Sequence, residues 1–483
     1  TKDVNGKYCH PLDCDTYTSS GQEICERRET SDGIKLCKFD NKCKNNMENY
    51  SISGLCSSTV TKIGNQSLNP KNMENVFYLT PLAKRFFYAD IMPHMSKKNM
   101  NKEKLKIMSN AIRALSIDAI EKANSGHPGL PLGMADVATV LFSKFLKFDP
   151  SKPDWLDRDR FVLSAGHGSM LLYALSYLVG YKDCSLNQLK NFRQLGSKTA
   201  GHPEFGLLKS IETTTGPLGQ GLANAVGMAI SEKVLNQKYG NIFNHKTWVI
   251  AGDGCLMEGI SQEAISMAGH LKLKNLIVFF DDNKISIDGP TNLTCSDNQK
   301  ERFEASNWHT IEINGHSFKE IEKGINEALK SSKPSLIICR TIIGFGSPNK
   351  SGKETVHGAP LGAEELKLTK KRLDWPYESF FIPNIIIKNW RKIGINGKKK
   401  RLNWEKKYNS SKHFLEIKKQ FKQRKVTRDN NSISFLSNIL KNKKDEATRK
   451  SSLNSLEFFS SKIENFMGGS ADLTGSNLTK TKN

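Results

Sequence analysis

The chain has 483 residues, 37% of them hydrophobic, and a formal charge of +23; it has room for two or three domains around a sizeable core and holds no apolar run of membrane-spanning length. The charge is concentrated, with 21 Lys or Arg against 5 Asp or Glu between Lys388 and Lys450, as on a solvated, partly helical linker. No aromatic-rich nucleic-acid signature accompanies it, so neither a specific nucleic-acid partner nor a membrane is expected.

Residues 1–95 form a polar, weakly periodic leader that holds six of the ten cysteines: Cys9, Cys14, Cys25, Cys37, Cys43 and Cys56. Six in so short a stretch fit a three-bridge module with 15 pairings open. The triplets Asn49-Tyr50-Ser51 and Asn65-Gln66-Ser67 fit an extracellular setting. The scattered Cys184, Cys255, Cys295 and Cys339 read instead as reduced thiols. The expectation is therefore a cytoplasmic protein, with secretion as the alternative if the leader is genuine.

From Lys102, KLKIMSNAIRALSIDAIEKA carries apolar residues at helical spacing up to the breaker SGHPG. Strand-like runs follow at Phe161–Ser164, Thr247–Asp253, Asn275–Asp282, Trp308–Ile313 and Ser335–Thr341, with helical patterns such as GLANAVGMAISEKVLNQKYG between them. This alternation predicts an α/β fold, a parallel sheet with helices on both faces. The organisation read from it is a leader over 1–95, a binding domain over 100–383, a basic inter-domain linker over 384–465 and the start of a further domain over 466–483.

Ligands of open parallel sheets bind outside the carboxyl ends of the strands. TWVIAGD runs into Gly252-Asp253-Gly254 and NLIVFFDD into Asn283-Lys284-Ile285, which would set Asp253 and Asn283 on neighbouring loops. A carboxylate, an amide oxygen and a loop carbonyl suit a hard divalent cation, and Gly254 can offer its N–H to an anion. A cation-bridged diphosphate is the natural ligand. The loop TTTGPLGQGLANAVG opens a helix near Gly219, a second anion-binding geometry, although a tight turn would explain it alone.

Four histidines sit beside glycine or proline in sharp turns: His127 in SGHPG, His167 in AGHGS, His202 in AGHPE and His357 in VHGAP. One loop histidine is ordinarily surface decoration. Four in a domain with a metal–anion motif point to proton exchange or to hydrogen bonding of sugar hydroxyls and phosphates. His10, His94, His245, His270, His309, His316 and His413 lack that setting and read as structural.

Together with PDWLDRDRFVLSAGHGSMLLYALSYLVGY, AGDGCLMEGISQEA, DDNKISIDG, FEASNWHT, TIIGFGSPNKSG, ATRK and GGSADLTGSNLT, these stretches resemble transketolase, in family order from about Met100 onward. The resemblance implies a thiamine diphosphate-binding fold, with thiamine diphosphate and a divalent metal: Mg²⁺, or Ca²⁺ or Mn²⁺ in its place. Asp253, Asn283 and the Ile285 carbonyl would hold the metal. His167, Gly216, Pro217, Leu218, Gly254, Asn283, His357 and Asp472 would contact the cofactor. His127, His357, Arg449 and Ser476 would meet substrate. His357 with His127 would assist proton removal, and His202 would lie near the donor's terminal hydroxyl. The implied reaction moves a two-carbon ketol unit from a ketose phosphate to an aldose phosphate in the non-oxidative pentose phosphate pathway.

Several positions depart from the family pattern. Leu130 stands where alanine is usual, and GKETVHGAPL lacks a histidine often seen before the final one. The leader matches nothing in the family. The pattern also continues past GGSADL into a complete pyrimidine-binding domain and a third domain. The expectation is an incomplete chain, inactive alone, from a protein that is a homodimer at full length. Alternatives are a related enzyme such as dihydroxyacetone synthase, a split transketolase subunit, or a catalytically dead fusion or binding protein with a disulfide-bonded leader.

Overall fold

The computed structural model describes residues 97–422, 430–442, 445–463 and 466–482, with side chains from Lys102 onward; before residue 97 it describes only the backbone of five short strands. The disulfide-bonded reading of the leader lies outside the described residues.

Two helices open the core. Helix α1 (Lys97–Ala123) carries Met108, Ile112 and Leu115 inward, and α2 (Gly129–Val140) is buried along its whole length, as expected of a helix apolar on all sides. Buried Arg113 holds the two together: its guanidinium donates to the Leu132 carbonyl at 2.9 Å and pairs with Asp136 at 2.6 Å.

Five parallel strands follow: β1 (Arg160–Leu163), β2 (Thr247–Gly252), β3 (Leu276–Asp282), β4 (His309–Asn314) and β5 (Ser335–Arg340), in the order β1-β2-β3-β5-β4. Strands β2 and β3 are apolar almost without interruption and buried on both faces, the pattern of a sheet covered by helices on each side. The edge strand β4 alternates instead. Helices α3 (Ser169–Val179), α4 (Leu186–Lys190), α5 (Gln220–Tyr239), α6 (Asp253–Met257), α7 (Gly259–His270), α8 (Gln299–Ala305) and α9 (Phe318–Ala328) fill the connections. The last shows the usual logic: Ser317 caps the Glu320 amide, and Ile321, Ile325 and Ala328 face the sheet. Register sets the site. Gly252 pairs with Asp281, so the residues following β2 and β3 leave the sheet at the same level.

After α10 (Ala363–Arg372) comes α11 (Asn384–Asn409). The basic segment read as linker begins here, yet α11 packs on the core. Ile386, Trp390, Gly394, Gly397 and Arg401 form a buried stripe, and a Cβ at Gly397 would stand 1.8 Å from the Phe148 carbonyl oxygen. Only glycine allows that approach. Arg401 pairs with buried Asp149 at 2.7 Å. The lysines occupy the opposite side of the helix, which is why composition concealed the stripe.

The chain divides into two compact units, residues 1–411 and 412–483. The second holds α12 (Phe414–Lys422), α13 (Asn430–Lys441), α14 (Thr448–Ser460) and the short α15 (Thr474–Asn477). Phe435 stacks on Phe458 at 4.2 Å, joining α13 to α14. Among the described residues, no helix is long and apolar enough to cross a membrane.

Candidate active site

At the carboxyl ends of β2 and β3 lies a cavity of about 460 Å³. It is lined by His127, His167 and His357, by Gly216 and Leu218, and by Asp253, Gly254, Asn283 and Ile285. Leu130 and Asp281 line it as well. Six chain segments far apart in sequence meet here.

The histidines form one wall. His127 lies in the turn between α1 and α2, and His167 in the 3-10 turn Gly166–Gly168 after β1. His357 follows the 3-10 turn Glu354–Val356. Ring centroids of His127 stand 5.2 Å from His167 and 5.9 Å from His357, and His167 stacks on His357 at 5.0 Å. His202 is 6.4 Å from His127 but does not line the cavity. It lies under Gly216, whose φ of +133° admits a side chain poorly and whose added Cβ would stand 3.0 Å from the His202 ring. Gly166 meets the same loop from the other side, where a Cβ would be 2.6 Å from the Gly216 nitrogen.

All four imidazoles are held neutral. Burial first, then Arg193, His357 and His202, bring the His127 pKa down to about 4. Burial and the other three histidines bring His167 to about 3. Burial lowers His357, and burial with Arg193 lowers His202. Desolvation disfavours the charged ring, and neighbouring cations add to that penalty.

The opposite wall is acidic. Asp253 opens α6 directly after β2, and Asn283 follows β3. Burial, then Asp281 and Asp282, push the Asp253 carboxyl up to about 7. At about 1.4 kcal/mol per pH unit, the ionised form is penalised by on the order of 4 kcal/mol. Lys284, which opposes this shift, is exposed and already pairs with Asp282 at 2.7 Å, and such a pair returns about 1 kcal/mol at most. Asn283 is fixed by its loop. Its amide nitrogen donates to Asp281 at 3.0 Å, while its oxygen accepts from the Ile285 amide at 2.9 Å. Thr341 donates in turn to Asp281.

These residues fit a diphosphate with its cation. The Nδ1 atom of His357, which lines the cavity, is buried without a hydrogen-bond partner, and a buried polar atom without a partner is costly unless a ligand meets it. On the acidic wall, Asp253 ionises only against burial and two neighbouring carboxylates, and a cation there would favour the ionised form. Among the described residues, no group of three His, Cys, Asp or Glu side chains is arranged to hold a metal. The oxygen set of Asp253, Asn283 and the Ile285 carbonyl contains only one such side chain.

Other residues singled out in the sequence fall elsewhere. Pro217 is exposed beside Gly216 and does not line the cavity. Arg449, Asp472 and Ser476 are exposed in the second unit. Leu130, the departure from alanine, is buried, and a Cβ on Gly168 would stand 2.6 Å from its Cδ2, so the two positions are closely packed. Three contributors were not singled out as residues in the sequence: Arg193, Asp281 and Thr341, the last two lying within the stretches DDNKISIDG and TIIGFGSPNKSG.

A parallel sheet with this cradle at its carboxyl edge is the thiamine diphosphate-binding α/β fold. Residues 104–430 match the family model described as "Transketolase, thiamine diphosphate binding domain". The chain is 51% identical over 381 residues to a transketolase of Cereibacter sphaeroides, covering 78% of this chain and 57% of that one. It is 50% identical over 386 residues to Transketolase 1 of Escherichia coli, covering 77% and 58%. Among solved structures, transketolase from Campylobacter jejuni superposes with a TM-score of 0.71 at 42% identity, covering 78% of this chain and 58% of that one. Transketolase from Pichia stipitis in complex with sedoheptulose-7-phosphate gives 0.70 at 40% identity, covering 78% and 57%. The chain belongs to the transketolase family. It spans a little over half the length of these relatives.

Proposed function

We propose that this chain holds the diphosphate end of thiamine diphosphate through a divalent cation, and that the protein transfers a two-carbon ketol unit from a ketose phosphate to an aldose phosphate. The observation that carries the reading is the convergence of three neutral histidines, two glycine loops and the Asp253–Asn283 pair on one cavity at the strand ends. The family and the relative bound to sedoheptulose-7-phosphate support the substrate class. Asp253, Asn283 and the Ile285 carbonyl would ligate the cation, Mg²⁺ or a substitute such as Ca²⁺ or Mn²⁺. Gly216, Gly254 and the free Nδ1 of His357 would meet the diphosphate, and His167 would pack beside the cofactor. When bound, thiamine diphosphate supplies the electron sink for breaking a bond next to a carbonyl.

The protein's own groups would do the rest. His357, neutral and beside His127, can accept a proton from the donor's C3 hydroxyl. His202, below Gly216, is assigned to the donor's terminal hydroxyl. Pro217 and Leu218 would shape the loop, Asp472 would reach the cofactor, and Arg449 and Ser476 would contact substrate, a guanidinium being suited to a phosphate. A homodimer is the assembly proposed for the full-length protein, and the cytoplasm its location.

Calorimetry tests the cofactor assignment. Thiamine diphosphate should bind with Mg²⁺, and thiamine without its diphosphate should not. A chelator or Asp253→Ala should remove the binding while the fold persists by circular dichroism. Equal binding of thiamine, or unchanged affinity in Asp253→Ala, overturns the reading.

A further inference from the structure

Arg193 projects from the loop between α4 and α5 and has no carboxylate partner within ion-pair distance among the described residues. Its backbone is left-handed, with φ of 61°, and its amide donates to the Thr199 carbonyl at 3.0 Å. A non-glycine residue in that region carries strain that the surrounding structure must hold in place. The loop is held from α3: Ser169 Oγ donates to the Gly201 carbonyl at 2.8 Å, and Tyr173 Oη donates to the Ala200 carbonyl at 2.9 Å. The consequence is a guanidinium turned back onto the His127 turn. One arm, Nη1, donates to Ser125 Oγ at 2.8 Å, and the other, Nη2, lies 3.4 Å from His127 Nδ1.

A guanidinium donates hydrogen bonds and accepts none. The nitrogen it faces must therefore be the acceptor of the ring, and in a neutral imidazole the proton then sits on the other nitrogen. The Nε2 edge of His127 is turned toward the Gly358 backbone, where an added Cβ would stand 3.3 Å from Nε2, and beside the His357 ring.

We propose that Arg193 is the positioning residue of His127, fixing it as the neutral tautomer that presents an Nε2–H donor to the cavity. His127 then polarises a substrate oxygen and leaves proton acceptance to His357. The charged and titratable groups facing His127 are Arg193, His167, His202 and His357, with no carboxylate among them. Every neighbour opposes a second proton on the ring. The tautomer depends only on these contacts, but its use as a donor to substrate rests on the ketol-transfer reading above.

Nuclear magnetic resonance of the full chain with ¹⁵N-labelled histidine tests this directly. In the unsubstituted protein the His127 Nδ1 signal should be that of a bare nitrogen and the Nε2 signal that of an N–H, with titration well below the ordinary histidine range. Arg193→Met should raise the His127 pKa by about one unit or more, as removal of an adjacent cation does, and should release the tautomer. Arg193→Lys should restore most of the low pKa, since the charge returns without the fork. An Nδ1–H tautomer in the unsubstituted protein overturns the proposal even if the variants fail to fold. So does a titration that Arg193→Met leaves unmoved. Thiamine diphosphate binding measured on the same samples separates the two readings: an Nε2–H His127 in a chain that binds no cofactor keeps this inference and removes the other.

Discussion

The two walls of the cavity stand under opposite electrostatic terms. On the histidine wall, burial and neighbouring cations drive His127 and His167 to the neutral form, and a neutral imidazole keeps both a donor and an acceptor. On the acidic wall, burial beside Asp281 and Asp282 also drives Asp253 toward its neutral form, but a protonated carboxyl is a poor metal ligand. The first wall is ready as it stands. On the cation-binding reading proposed above, the second would need a cation to offset the repulsion among its carboxylates.

Asp253→Asn separates the two most sharply. The amide keeps the shape of the carboxyl while removing one of three crowded acids, so the metal-free chain should become more stable, by on the order of 1–3 kcal/mol in urea denaturation with chelator. Mg²⁺-dependent cofactor affinity should fall by about 100-fold or more, since even outer-shell changes cost about 10–100-fold. Loss of affinity together with loss of stability would mean that the acidic wall is not strained in the absence of metal.

Thr341→Val should act more weakly on the same wall. Its hydroxyl donates to Asp281, which in turn accepts from the Asn283 amide. Without it Asn283 keeps its place but loses part of its orientation, and Mg²⁺ affinity should drop about tenfold with cofactor chemistry unaltered. Unchanged affinity in a metal titration would remove Thr341 from the site.

The contrast also marks what could be read from the sequence. Asp253 and Asn283 were legible because each ends an apolar run at a turn, and strand ends are where parallel sheets bind ligands. Four histidines stand out through their Gly/Pro contexts, and three of them, His127, His167 and His357, line the cavity. Arg193 does not stand out. Its role comes from its own left-handed backbone and a contact across 66 residues, and NFRQLGSKT reads as an ordinary polar loop. Asp281 opens the stretch DDNKISIDG but is buried at the end of an apolar strand, where nothing in the pattern distinguishes it from its neighbour Asp282. The parallel sheet followed from the β/α alternation, with strand ends displaced by one residue at most. The segment after Pro383 was harder, because its charge masked the stripe of Ile386, Trp390 and Arg401 that seats α11 on the core.

Acidification tests the histidine wall by itself. His167 has its pKa lowered to about 3, chiefly by burial, against about 6.5 for an unfolded histidine. Between those values the native state binds fewer protons than the unfolded chain, so stability falls as pH drops below about 6.5 and stops falling from this source near pH 3. The slope from one such group approaches about 1.4 kcal/mol per pH unit in the middle of the window. His167→Asn removes the proton from both states, and its stability should decline less steeply on acidification than that of the unsubstituted chain. Urea midpoints at pH 6, 5 and 4 measure the difference; parallel curves would show that the wall relaxes to admit a charged ring, and that its neutrality comes from solvent conditions instead of the fold. Because His127, His202 and His357 titrate in the same direction, His167→Asn should flatten the curve without making it level.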